Sequence, residues 1–244
     1  MTTLLRTEGL VRRFGGITAV KDCSISVEKG SITGLIGPNG SGKTTLFNLI
    51  TSIYKPDTGN VYMRDKKITN LPSNRLCHLG LSRTFQITRL FWDLSVLENM
   101  IVPVRQVGFR SLLGPGMYRY EEVRAMSLLE RVGLDHLTNE PARKLSFGQQ
   151  KLLEFAAILM ADPELVLLDE PAGGVNPTMI RFIMNLIRSL NKEGVTFLVV
   201  EHNMGLVMEL CDHILVLDQG AKIAEGPPHT IQSDPVVLDA YLGD

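Results

Sequence analysis

The chain has 244 residues, 44% apolar and 21% charged, ordinary values for a folded domain that exclude a disordered, collagenous or coiled-coil chain. Lys and Arg number 25 against 26 Asp and Glu, and the resulting net charge of −1 excludes a broadly basic surface for coating nucleic acid. Cys23, Cys77 and Cys211 are scattered outside any CxxC spacing, so neither a disulfide framework nor a zinc site is expected.

In chain order, Met1–Glu8 lacks the apolar core of a secretory signal, and no later run approaches the ~20 apolar residues that span a bilayer. Ser31–Ile36 reads as a short buried strand, followed by a Gly-rich turn and a helix over Lys43–Ile53. From about Ile87 to Glu164 the character changes. Ser95 stands three residues before Glu98, a capping-box spacing, and a Gly/Pro-containing stretch over 108–116 precedes a charged helix near Tyr120–Val132. Helices over Phe147–Met160, Thr178–Lys192 and Met204–Cys211 then alternate with strands Leu165–Leu168, Thr196–Val200 and Ile214–Leu217. Such alternation predicts an α/β fold on a mostly parallel sheet. Gly226-Pro227-Pro228 and Asp234-Pro235 mark a turn-rich tail.

Gly37-Pro38-Asn39-Gly40-Ser41-Gly42-Lys43-Thr44 fits G-x-x-x-x-G-K-[ST], with Thr45 next, between the predicted strand and helix that this motif requires. The glycines let backbone N–H groups curl around phosphate oxygens, and the new helix adds the positive end of its dipole. Lys43 is expected to reach the β- and γ-phosphates, and the Thr44 hydroxyl to ligate Mg²⁺. The strand Leu165–Leu168 ends in Asp169-Glu170, which puts two carboxylates at the edge where α/β sheets bind ligands. Asp169 is expected on the Mg²⁺ side, with Glu170 beside the attacking water. Asn191-Lys192-Glu193-Gly194 lacks the Asp of a guanine-reading Asn-Lys-x-Asp element, so guanine specificity is not expected. Ser146 and Gln149 have a second capping-box spacing, around the small Gly148.

Leu145-Ser146-Phe147-Gly148-Gln149 resembles the L-S-G-G-Q signature of ABC ATPases, and further elements follow in that family's order. Gln86, in Arg83-Thr84-Phe85-Gln86, resembles the Q-loop glutamine; Ala172–Pro177 stands at the D-loop, His202 at the switch histidine, and Phe14 at an adenine-stacking aromatic. Two positions depart from the pattern: Phe147 replaces the first signature Gly, and Asn176 the usual D-loop Asp. Arg83–Gln86, Phe14-Gly15-Gly16, the Asn-Pro end of the D-loop and Ala240-Tyr241-Leu242-Gly243 are together similar to one subgroup, the ATP-binding subunits of importers for branched-chain amino acids and for urea, amides and related solutes.

The resemblance implies a P-loop NTPase (RecA-like) core over 1–86 and 164–218, including an N-terminal antiparallel β part. It also implies an inserted helical signature subdomain over 87–163 and a docked tail over 219–244. It further implies ATP and Mg²⁺ as cofactors, Gln86 joining Thr44 and Asp169 around the metal, and His202 contacting the γ-phosphate. Ser146, Gly148 and Gln149 would close over ATP held by a second, identical or paralogous, ATP-binding subunit. Ile87–Trp92 would help form the groove that receives a membrane permease subunit, with Phe91 or Trp92 partly exposed. The implied protein energises import of a small solute, branched-chain or other amino acids foremost, from the cytoplasmic face of the membrane, with a solute-binding protein as indirect partner and no nucleic acid. Lipopolysaccharide exporters share the size and layout, but Arg83–Gln86 and Gly15-Gly16 favour the importers. A soluble ABC ATPase usually carries two cassettes, and a non-hydrolysing scaffold would not need Glu170 and His202.

Overall fold

The computed structural model describes residues 2–84, 90–102 and 115–242. Strands β1 (Thr3–Phe14), β2 (Ile17–Cys23) and β3 (Ser26–Glu28) lead into β4 (Ile32–Ile36) and helix α1 (Lys43–Ile50), followed by β5 (Thr58–Met63) and β6 (Lys66–Lys67). An antiparallel sheet runs in the order β2-β1-β5-β6, with β3 also paired to β1. This is the N-terminal β part that the resemblance implied.

The remaining elements are α2 (Ser73–His78), β7 (Leu81–Arg83), α3 (Val96–Ile101), α4 (Pro115–Arg131), α5 (Phe147–Leu159), β8 (Leu165–Asp169), α6 (Pro177–Lys192), β9 (Thr196–Val200), α7 (Met204–Leu210), β10 (His213–Asp218), β11 (Ala221–Gly226), α8 (Pro228–Gln232) and α9 (Pro235–Leu242). A second sheet has the order β11-β10-β4-β9-β8-β7, parallel throughout except at the edge strand β11. The segment expected as a turn-rich tail therefore begins with a strand of the main sheet.

Every residue of β4, β8 and β9 is buried, because packing covers both faces of the sheet. Alternate residues serve two cores. Val166, Leu168, Phe197 and Val199 pack with α3, α4, α5, α6 and α7, whereas Leu165, Leu167, Leu198 and Val200 pack with α1 and the antiparallel sheet. Cys211 and Cys23 lie buried in these two cores, one in each. Burial pushes their thiols from 9.0 up to about 12 and about 11. Because the folded-state values are raised, this contribution to stability is intact below pH 9 and is lost as pH climbs towards 12. A thiol-alkylating reagent at neutral pH is expected to spare Cys23 and Cys211 in the native protein and to label both in urea. Fast native labelling of either would contradict this packing.

Helix ends follow local chemistry. The Ser95–Glu98 and Ser146–Gln149 capping boxes both form as their spacing predicts. Helix α1 stops three residues before the predicted Ile53. The Thr51 hydroxyl donates back to the Phe47 carbonyl at 2.8 Å, and Ser52 turns left-handed at φ 56°. Asn176, the D-loop departure, caps α6 by accepting from the Met179 N–H at 2.9 Å, ahead of Pro177. Among the described residues no helix is long and apolar enough to cross a membrane. Gln86, with the rest of 85–89, and residues 103–114, which include most of the predicted Gly/Pro stretch, lie outside the described residues.

Candidate functional site: a phosphate loop at the carboxyl edge of the parallel sheet

Register gathers the site. Val200 of β9 is level with both Leu35 of β4 and Asp169 of β8, so the turns leaving these strands emerge side by side. From β4 comes the Gly-rich loop, from β8 Glu170, and from β9 Glu201 and His202. This is the sheet edge at which parallel α/β folds bind their ligands.

Two glycines of the loop are dictated by geometry. A Cβ on Gly37 would stand 2.0 Å from the Leu217 carbonyl oxygen, and one on Gly42 (φ +101°) 2.3 Å from that of Ala19. Gly42 precedes α1 without a side-chain cap, and no acidic residue occupies the helix's first turn. Its N–H groups and dipole are thus left for an external anion. Lys43 is only 5% exposed, and its ammonium donates to the Gly37 carbonyl (2.9 Å), the Pro38 carbonyl (2.8 Å) and the Ser41 hydroxyl (3.2 Å). Burial lowers its pKa, and the carboxylates of Glu170 and then Asp169 oppose that shift. Asn39, Gly40 and Thr44 are exposed at the mouth, and Thr45 is half-buried. From the far end of the chain, Tyr241 on α9 reaches the Gly37 backbone, and burial raises its phenol above the usual value.

Asp169 is buried at the end of β8, its N–H donating to the Thr84 hydroxyl at 3.2 Å. Its Oδ2 accepts from Nη2 of Arg83 at 2.7 Å. Glu170 sits in the left-handed region (φ 50°). Its N–H donates to the Val200 carbonyl at 2.9 Å, while its carbonyl accepts from Lys151 Nζ and from the Gly173 N–H, each at 3.0 Å. Its Oε1 lies 2.8 Å from Nε2 of His202. A carboxylate paired with a half-exposed imidazole at a phosphate-binding edge can take a proton from water and keep it oriented.

Other predicted residues sit apart from this cluster. Ser146 and Phe147 are exposed, and the Phe147 ring packs against Gly174 of the D-loop, with the Lys151 ammonium 5.4 Å from its centre. Gly148 and Gln149 are half-buried in the first turn of α5. Phe14 is 40% exposed, edge-on to Tyr54 at 5.2 Å and covered on one side by the Arg12 guanidinium at 4.8 Å. Asn191 bonds the Gly30 and Val195 carbonyls at the end of α6 and so closes a helix rather than reading a base.

Arg83, Lys151 and Glu201 are functional-edge residues that motif reading passes over. Buried Glu201 accepts from the Ala172 N–H at 2.7 Å and from its neighbour His202 at 3.1 Å, pinning two loops together. Adjacency to the signature for Lys151 and to His202 for Glu201 was the available signal. For Arg83 there was none beyond its place in Arg83–Gln86.

The family model described as ABC transporter matches residues 20–173, across the loop, the signature and the Asp169-Glu170 pair. The chain belongs to the ABC transporter ATP-binding cassette family. A second model, branched-chain amino acid ATP-binding cassette transporter, matches residues 221–244 of the cassette. The cassette is 42% identical, over 98% of its length and 95% of the relative's, to the probable branched-chain amino acid transport ATP-binding protein LivG of Archaeoglobus fulgidus. It is 41% identical to the high-affinity LivG protein of Escherichia coli, covering 99% and 98% of the two chains. The ADP conformation of an ABC transporter cassette superposes with a TM-score of 0.87 at 39% identity, both chains covered in full. A dimeric bacterial ABC transporter cassette gives 0.80 at 27%, over 92% and 99%. Membership of this family makes the cassette an ATP-binding, ATP-hydrolysing transporter subunit.

Proposed function

We propose that the cassette drives import of branched-chain or other amino acids through separate membrane permease subunits. Its likeness to the LivG proteins over nearly the whole chain supports the solute class. For the chemistry, the carrying observation is the 2.8 Å contact between Glu170 and His202 on the same sheet edge as buried Lys43.

Lys43 exchanges the carbonyls of its own loop for β- and γ-phosphate oxygens, and Gly37–Thr45 wrap the phosphates with backbone N–H groups. Phe14 offers its uncovered ring face to adenine. The donor set for a metal is one carboxylate, Asp169, and one hydroxyl, Thr44, with Gln86 proposed as a third. Among the described residues no group of three or more His, Cys, Asp and Glu forms a metal cage. That sparseness would suit Mg²⁺, which these residues would hold and which would supply positive charge against the charge developing on the phosphates. Glu170 polarises the attacking water, and His202 holds that carboxylate and contacts the γ-phosphate. Charge neutralisation and alignment supply most of the acceleration in phosphoryl transfer.

The exposed signature turn suits a head-to-tail dimer, in which Ser146, Gly148 and Gln149 of one cassette seal ATP held by the other. ATP then favours the closed pair, and hydrolysis releases it. Phe91 and Trp92 are 52% and 45% exposed. A cavity of about 390 Å³ lined by Phe91 with Leu76, Leu90, Asn99 and Ile158 has room for a permease segment. The cassette thus works at the cytoplasmic face of the membrane, and a solute-binding protein selects the cargo.

Co-purification with its permease subunits followed by ATPase assay tests the solute class. Turnover is expected to rise when binding protein loaded with leucine, isoleucine or valine is added. Stimulation by urea or amides alone, with none by amino acids, would overturn it.

A further inference from the structure

Arg83 brings a buried guanidinium to this edge. Its side chain is 6% exposed and that of Asp169 3%, with 2.7 Å between Nη2 and Oδ2. The other arm of the fork, Nη1, donates to Asn48 Oδ1 at 2.7 Å and to the Thr51 hydroxyl at 3.2 Å, both on the helix that Lys43 opens or at its end. The guanidinium also lies 5.4 Å from the ring centre of Phe47. One cation therefore ties β7 to the carboxylate of β8 and to α1.

We propose that Arg83 is a resident counter-ion for Asp169, a positioning residue that lets the phosphate loop accept nucleotide before any metal arrives. This rests on reading Asp169 as the metal-side carboxylate. A buried carboxylate beside a polyphosphate site repels the incoming nucleotide, and in a weakly screened interior that repulsion is large. The Arg83 guanidinium cancels it. Its planar fork serves the carboxylate on one arm and α1 on the other, an arrangement that a point charge on a lysine cannot fully copy. With Mg²⁺ present, neutralisation no longer depends on Arg83 alone. The residue's effect is accordingly greatest in metal-free solution, where a purely structural residue would weaken both conditions alike.

The test is calorimetric binding of ATP in EDTA, and of a non-hydrolysable ATP analogue in Mg²⁺, to the full chain and its variants. Arg83→Met is expected to lose about tenfold or more in EDTA and less than about threefold in Mg²⁺. Adding Asp169→Asn to Arg83→Met is expected to restore the EDTA affinity, because no carboxylate then needs neutralising. Arg83→Lys keeps the charge but not the fork and is expected to lose less in EDTA than Arg83→Met; the neutral Arg83→Gln carries the test, with the same EDTA-selective loss expected, should Arg83→Met fold poorly. Equal losses in EDTA and Mg²⁺, no loss, or no rescue in the double variant would overturn the proposal. Asp169→Asn alone separates the two readings. If it leaves the Mg²⁺ enhancement of binding intact, the metal-side reading of Asp169 fails; if it abolishes that enhancement while Arg83→Met changes nothing, only the counter-ion proposal fails.

Discussion

Glu170→Gln is expected to cut ATP turnover by about 10²–10⁴-fold, the usual worth of a positioned general base, while ATP stays bound. The substitution changes one atom's chemistry and little else. The backbone of Glu170 is fixed independently of its carboxylate: its N–H donates to Val200, and its carbonyl accepts from Lys151 and Gly173. These bonds hold φ at 50°, a conformation costly for a non-glycine residue, and an amide of the same shape inherits it. The amide keeps an oxygen for His202 but cannot take up a proton from water. It also removes a negative charge from beside the phosphates, so affinity for ATP is retained or rises. Phosphate release should fall to background, and size-exclusion chromatography with ATP should show a dimer that no longer dissociates. Undiminished hydrolysis would move the base to another residue.

Gly42→Ala is expected to remove ATP binding and to destabilise the fold by about 2–6 kcal/mol, adding backbone strain to overpacking. At φ +101° the new methyl points at the Ala19 carbonyl from 2.3 Å, and that oxygen belongs to β2, which the antiparallel ladder with β1 holds in place. Neither side can yield cheaply. Moving Gly42 shifts the start of α1 and with it Lys43, whose three contacts all lie within the loop. Thermal melting should show a midpoint lower by about 5–20 °C, at about 2–4 °C per kcal/mol for a chain of this size. Gly40→Ala makes the control: its φ is also positive, at +79°, but no atom lies within 4 Å of the added carbon. Its loss should be confined to the strain. A Gly42→Ala protein that melts and binds ATP like the parent would contradict the observed loop.

Much of the site was legible because its pieces are contiguous. The loop, the Asp169-Glu170 pair and the signature each declare a backbone turn and its chemistry within a few residues, and fully buried strands announce themselves as unbroken apolar runs. What stayed hidden depends on contacts between distant segments. Arg83 reads only as the first residue of Arg83–Gln86; it ends the three-residue strand β7, and the parallel register of β7 with β8 brings it to Asp169. Glu201 reads as a companion of His202 until the loop holding Ala172 is seen to hang from it. Strand β1 was not read from its residues, because Arg6, Glu8, Arg12 and Arg13 interrupt the apolar alternation and irregular register breaks its pairing. Asn176 looked like a lost carboxylate, yet as a helix cap an Asn serves as well as an Asp.

Titration calorimetry of ATP with Mg²⁺ against the parent and Lys43→Ala tests the central claim most directly. The account predicts saturable binding of one nucleotide per chain in the parent. It predicts a loss of about 10–100-fold in Lys43→Ala, the worth of hydrogen bonds from a charged group, with the fold retained by circular dichroism. Equal affinity in the two proteins would contradict it, since the buried ammonium would then have no part in holding the phosphates.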